Sequence, residues 1–287
     1  MIKFIVSDMD GTLFEGHGET VFDLTERNQA ALKRVQEAGI EFCVASGRMI
    51  GYGIRLLERY GFRHIRAAGF NGAVCYDDGE FVDTKPVDYG LLQKIVPMIQ
   101  EKFPQVQVIQ IQGLGSERIF SRADRSGAKA RYGREIEKIG IGKLPDITVE
   151  EFLQDAQGIL PGKLSIIMPT RAECLQVIEA VQSLVADKCF ITMSDETLIE
   201  IGNRETGKNV FVNYLRRAYG LKKEEIAVIG DALNDGAMFD EAGLCFAMES
   251  GDGAVKRRAD VVVPDVCSCI DDCIARNRAE SGEIKNV

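Results

Sequence analysis

Met1-Ile2-Lys3-Phe4-Ile5-Val6-Ser7-Asp8-Met9-Asp10-Gly11-Thr12-Leu13 is a short strand run into a polar turn, and the pattern recurs twice more in the chain. Phe4-Ile5-Val6 is continuously apolar rather than alternating, as strands buried on both faces of a parallel sheet read. Glu41-Phe42-Cys43-Val44-Ala45 ends likewise in Ser46-Gly47-Arg48. Ile226-Ala227-Val228-Ile229 ends in Gly230-Asp231-Ala232-Leu233-Asn234-Asp235. Helical segments separate these runs. Residues Thr25 to Ala38 have apolar spacing on one face with Gly39 as a stop, Met49 to Tyr60 follow the second run, and Lys208 to Tyr219 lead toward the third. Strands alternating with helices imply an α/β fold with a doubly wound parallel sheet.

The middle of the chain reads differently. After a helix beyond Asp88 come paired strands (Val106 to Ile111, Arg118 to Ser121) and a helix around Ala128 to Lys138. A strand (Lys163 to Met168), a helix (Ala172 to Val185) and two strands (Phe190 to Met193, Leu198 to Ile201) then follow. This order predicts an α+β domain over residues 85–202, inserted into a discontinuous core of residues 1–84 and 203–287.

Composition narrows the functional classes. The 287 residues carry a net charge of -9, and 45% are hydrophobic. Such acidity disfavours nucleic-acid and anionic-membrane partners, but not a phosphorylated small molecule met by a bound cation. The N-terminal run is too short for a secretion signal, and no run approaches the roughly 18 apolar residues of a membrane helix. A cytoplasmic protein acting on a small phosphorylated metabolite, as a monomer or weak homodimer, is expected. Eight cysteines are then read as reduced. Cys267, Cys269 and Cys273 cluster without a fourth ligand, and His17 and His64 are the only histidines, so the cluster reads as core rather than as a zinc site.

Ligands of open parallel sheets bind beyond the carboxyl ends of the strands. The three runs therefore bring Asp8, Asp10, Ser46, Asp231, Asn234 and Asp235 to one edge. A single aspartate in such a turn is usually a cap. Four at one edge repel one another unless a cation neutralises them. Magnesium suits an all-oxygen site that shares a phosphate oxygen, with Asp8 and Asp231 as the natural side-chain ligands. The pair Asp8 and Asp10 permits a division of labour, one carboxylate attacking phosphorus and the other moving protons. Lys208 would supply charge and Ser46 a hydrogen bond to phosphoryl oxygens. Gly202-Asn203-Arg204-Glu205-Thr206-Gly207-Lys208-Asn209 nearly spells a nucleotide-binding P-loop, but Asn209 stands where a Ser or Thr hydroxyl is required.

On these residues the chain resembles the haloacid dehalogenase (HAD) superfamily, specifically its Cof-type phosphatases with a large inserted C2 cap. Asp8-Met9-Asp10-Gly11-Thr12-Leu13 matches the first motif, Ala45-Ser46-Gly47-Arg48 the second, Lys208 the third and Gly230 to Asp235 the fourth; Asn71-Gly72-Ala73 is also typical. The resemblance implies a HAD core with an α+β cap, and hydrolysis of small phosphate monoesters, sugar phosphates foremost, through an aspartyl-phosphate on Asp8. Asp8 would be the nucleophile and Asp10 the acid/base. The Asp8 carboxylate, the Asp10 main-chain carbonyl and Asp231 would hold Mg2+, with Asp235 in support. The Met9 main chain, Ser46, Gly47, Lys208 and Asn234 would contact phosphate. The true dehalogenases lack the second acid, so Asp10 favours phosphate chemistry. A phosphomutase and a non-enzymatic phospho-acceptor module are the alternative readings. Asn209 and Glu249-Ser250-Gly251 depart from the family pattern near the site. Arg118, Arg122 and Arg125 are candidate cap contacts.

Overall fold

The computed structural model describes residues 1–16, 20, 22–185 and 187–282 and divides into two compact units. Unit 1 is Met1–Asp83 together with the segment from Gly207 onward, and unit 2 is Thr84–Thr206. The chain runs through β1 (Phe4–Ser7), α1 (Glu26–Glu37), β2 (Glu41–Ala45), α2 (Ile50–Arg59), β3 (Arg66–Gly69), β4 (Val74–Asp77) and β5 (Glu80–Thr84). Unit 2 then carries α3 (Tyr89–Lys102), β6 (Val108–Gly113), β7 (Arg118–Phe120), α4 (Ala128–Ile139), α5 (Val149–Phe152), β8 (Pro161–Ile167), α6 (Arg171–Val185), β9 (Cys189–Asp195) and β10 (Leu198–Asn203). Unit 1 resumes with α7 (Lys208–Tyr219), β11 (Ile226–Gly230), α8 (Gly236–Phe239), β12 (Leu244–Met248), α9 (Gly253–Lys256), β13 (Val261–Val263) and α10 (Val266–Ser281).

The sheet of unit 1 has the order β13-β12-β11-β1-β2-β3-β4-β5. Its ladders are parallel from β13 to β3, and β4 returns antiparallel to β3. Register fixes the functional edge: Ser7 lies level with Val44 on one side and Ile229 on the other, so β1, β2 and β11 discharge their turns side by side. Helices cover both faces, which is why the strand runs are apolar throughout. Phe4, Val6, Cys43 and Val228 pack with Phe211, Val212 and Leu215 of α7. On the other face α1 buries Asn28, Ala31, Leu32 and Val35, one stripe at helical spacing, and packs on α10. Thr25 caps α1 by accepting from Asn28 N at 3.2 Å, and Gly39 ends it at φ +69°.

Unit 2 is α+β. Its sheet, ordered β7-β6-β8-β10-β9, is antiparallel at every ladder. Leu92 and Ile95 of α3 and Val177 and Val181 of α6 pack on one face of it. Among the described residues no helix is long and apolar enough to cross a membrane.

Candidate active site

Asp8 follows β1 where the ladder to β11 closes, its N–H donating to Ile229 O at 3.0 Å. The carboxylate turns inward, 8% exposed, and accepts from Lys208 Nζ at 2.6 Å. Lys208 opens α7 on the same stripe as Phe211, Val212 and Leu215, so the helix drives its ammonium into the protein. Lys208 Nζ also donates to Asp235 Oδ1 at 2.5 Å, and Asp235 is wholly buried. The other Asp235 oxygen accepts from the N–H groups of Asp231 and Ala232, both at 2.9 Å, and so locks the turn after β11. Asp231 Oδ1 accepts from Thr12 Oγ1 at 2.7 Å. Gly11 stands at φ +77°, and a Cβ there would fall 2.5 Å from Asp231 Oδ2. Only glycine lets the first turn close on the last.

Charge in this cluster is unbalanced. Burial pushes the Asp8 carboxyl up to about 7, with the Asp235 charge adding to the effect and Lys208 opposing it. Burial alone would disfavour the Lys208 ammonium, but Asp8 and Asp235 outweigh it and raise its pKa. The Asp231 carboxyl is also raised, chiefly by burial, against the Thr12 hydrogen bond. One ammonium thus faces three acids. Asp8, Asp231 and Asp235 each offer an oxygen within 4.8 Å of the others, a group that could hold a metal ion. All donors are oxygens, which fits a hard cation. With both oxygens already engaged, Asp235 fits a supporting place better than a direct one.

Around this centre the structure links the remaining residues. Ser46 Oγ accepts from Arg48 N at 3.0 Å, and Ser46 O accepts from Asn71 N at 2.9 Å. Asn71, in left-handed conformation at φ 55°, also lies against Gly47 and accepts from Asn234 Nδ2 at 3.0 Å. Met9 is fully buried, and its N–H is directed at the Asp8 carboxylate. Asp10 is set apart from the buried cluster: Arg48 grips both of its oxygens at 2.7 Å and lies over the Tyr52 ring, 5.0 Å from its centroid. This fork sets where the Asp10 carboxylate can reach. Reading the sequence assigned no role to Arg48, Thr12 or Asn71. All three sit inside quoted motifs, yet nothing in the spacing shows which partner each reaches.

The model of haloacid dehalogenase-like hydrolases matches residues 5–269. The chain belongs to this family. It is 24% identical over 261 residues to a phosphoglycolate phosphatase of Metallosphaera sedula, covering 91% of each chain. It is 23% identical over 262 residues to the 5-amino-6-(5-phospho-D-ribitylamino)uracil phosphatase YcsE of Bacillus subtilis, covering 91% of this chain and 89% of that one. The crystal structure of TM0651 from Thermotoga maritima shares the fold with a TM-score of 0.79 at 22% identity, over 95% of this chain and 97% of that one.

In this haloacid dehalogenase-like hydrolase the departures from the family pattern find structural places. Asn209 folds back toward Gly207 at the start of α7, where Lys208 is committed to Asp8 and Asp235 rather than to an open P-loop. Gly251 lies against the Asp231 backbone so closely that a Cβ would meet its carbonyl oxygen at 2.7 Å, and Asp252 N donates to that same oxygen at 2.7 Å. The loop after β12 therefore braces Asp231. All eight cysteines are free and buried, and burial, then the Cys273 hydrogen bond, drives the Cys269 thiol far up. His64 pairs with Asp78 at 2.6 Å, and His17 lies outside the described residues. The three candidate arginines of unit 2 are engaged locally. Arg118 stacks 3.6 Å over Tyr132, Arg122 pairs with Glu151 at 3.0 Å, and Arg125 donates to Pro104 O at 3.2 Å.

Proposed function

We propose that the chain is a magnesium-dependent phosphatase that hydrolyses small phosphate monoesters, sugar phosphates foremost, through a phosphorylated Asp8. The observation that carries this reading is the Asp8 carboxylate, buried yet gripped by Lys208 at 2.6 Å and grouped with Asp231 and Asp235 beyond the level ends of β1 and β11. The phosphatase activities of the two relatives support ester hydrolysis.

Asp8, Asp231 and the Asp10 carbonyl, backed by Asp235, would hold Mg2+, whose charge would offset that of the phosphoryl oxygens. Lys208, Ser46, Gly47, Asn234 and the Met9 N–H would orient those oxygens and stabilise the charge that develops on them. An Asp8 oxygen attacks phosphorus as the ester P–O bond breaks, and Asp10 gives its proton to the departing alcohol oxygen. Asp10 then takes a proton from the water that attacks the same phosphorus, which frees inorganic phosphate and restores the Asp8 carboxylate.

A panel of phosphate esters assayed with magnesium or with chelator tests this directly. The wild type should release inorganic phosphate only with the metal, and Asp8→Asn should release none. Substantial turnover by Asp8→Asn, or activity indifferent to chelation, would refute the reading. Isomerised sugar phosphate without free phosphate would identify a mutase.

A further inference from the structure

The two edges of the unit 2 sheet are finished differently. At one, β7 is covered: Arg118 N donates to Lys143 O at 3.0 Å, Lys143 N donates to Ser116 O at 3.1 Å, and a bridge joins Phe120 to Thr148. At the other, no described strand lies beyond β9. Arg204 N donates to Lys188 O at 2.9 Å, and by alternation from that pair Phe190 and Thr192 turn their main-chain groups toward β10. Cys189 and Ile191 therefore point their main-chain N–H and C=O groups outward.

An outward row of this kind invites another strand, and natural edges are blunted by short length, proline, central charge or a bulge. β9 has seven residues, no proline and no charge between Lys188 and Asp195. Its one irregularity falls where Met193 and Asp195 pair with Ile199 and Leu198, beyond residues 189–192. The unit 1 sheet is better protected: β13 has three residues, and β5 carries Glu80 and Asp83 without a cation. Beside β9 runs a groove of about 550 Å³, lined by Ile178, Gln182 and Val185 of α6 and by Phe190 and Ile191 of the strand. Leu175, 51% exposed, continues the same helical stripe.

We propose that β9 pairs antiparallel with β9 of a second copy of this chain, joining two unit 2 sheets into one across a two-fold axis. Charge selects both the partner and the direction. Asp187 is committed to Arg204 at 3.2 Å, which leaves Lys188 as the net charge where β9 begins. Asp195 and Glu196, both exposed, stand where it ends. Antiparallel pairing sets the Lys188 end of each copy against the acidic end of the other, twice over, whereas parallel pairing would set lysine beside lysine. The axis stands perpendicular to the joined sheet, so both α6 helices remain on one face, with their stripes of Leu175 and Ile178 turned toward each other. The pairing involves unit 2 alone and does not depend on the phosphatase reading.

Analytical ultracentrifugation of the full chain, with amide-resolved hydrogen exchange, tests this pairing. The mass should rise from 31.7 kDa toward twice that value with concentration. Over the same range exchange at Cys189 and Ile191 should slow, while Phe190 and Thr192, already bonded to β10, should not change. Lys188→Glu should weaken the dimer about tenfold or more through repulsion at both ends, and adding Glu196→Lys should restore it. Ile191→Pro removes an outward N–H that the sheet of its own chain does not use, and should abolish pairing; if its Tm shows that it does not fold, the charge variants decide alone. A single-chain mass at every concentration overturns the proposal. So does a dimer as tight in Lys188→Glu, or in folded Ile191→Pro, as in the wild type, or a double variant no tighter than Lys188→Glu. Exchange at Ile191 that slows only when an extended apolar peptide is added to a chain that stays single would give the edge to a peptide and equally overturn it.

Discussion

Lys208 occupies a position in α7 where the helical stripe calls for an apolar side chain, and two carboxylates make its burial tolerable. Lys208→Met leaves Asp8 and Asp235 uncompensated. In chelator, denaturant unfolding should show a loss of about 3–5 kcal/mol, and magnesium should restore part of it. Unchanged stability would mean that the triad is not energetically coupled. Asp8→Asn should act in the opposite direction, since it removes one of two buried acids that compete for one ammonium. The folded Asp8 pKa, about 7, lies above its ordinary 3.8, so the native state binds the extra proton between those values. Wild-type stability then falls as pH rises from about 4 to about 7. The Tm advantage of Asp8→Asn in chelator should be absent near pH 4 and full above pH 7; an advantage independent of pH would contradict this origin. Arg48 suggests a further test, because its fork fixes where Asp10 can reach. Arg48→Ala should lower kcat roughly 10- to 100-fold with alkyl phosphates and less with aryl phosphates. Arg48→Lys should recover little, since lysine cannot grip both oxygens. Equal losses across leaving groups would show that Arg48 does not act through Asp10. The acidic residues were legible because each follows an apolar strand. The target of Arg48 was not, because its reach depends on how two loops fold against each other.

Turns decide the geometry at the level of elements. Gly11→Ala would force a Cβ both into the left-handed region and against Asp231 Oδ2. Gly220→Ala, at φ +61° beyond α7, meets nothing within 4 Å. The second change should cost about 1 kcal/mol, while the first should cost clearly more and weaken magnesium binding as read by calorimetry. Equal effects would show that the Gly11 contact is unimportant. The three core strands and the helices between them were readable from uninterrupted apolar runs and 3.6-residue periodicity. β3 was not, since Arg66-Ala67-Ala68-Gly69 contains no β-branched or aromatic residue and its burial comes from its neighbours. The β4–β5 hairpin had a local signal that went unread: Asp78-Gly79, both at positive φ, is the Asp-Gly turn that such hairpins favour. The burial of three polar residues in the second sheet was also hidden. Gln110, Gln112 and Ser165 alternate with isoleucine and leucine, and alternation alone makes them look solvated.

At the scale of the whole molecule, every acid of the candidate metal site lies in unit 1, although almost half of that unit follows the inserted domain in sequence. Magnesium should therefore slow amide hydrogen exchange at the ends of β1 and β11 and leave exchange within the α3–α6 core of unit 2 unchanged. Protection confined to unit 2 would place the ion elsewhere. The most direct test of the whole account is to quench the Asp10→Asn variant with acid during turnover of a good aryl phosphate, reduce it with borohydride and map the peptides by mass spectrometry. An aspartyl-phosphate predicts conversion of Asp8, and of no other residue, to homoserine. An unmodified Asp8 in a variant that still releases the aryl alcohol would contradict it.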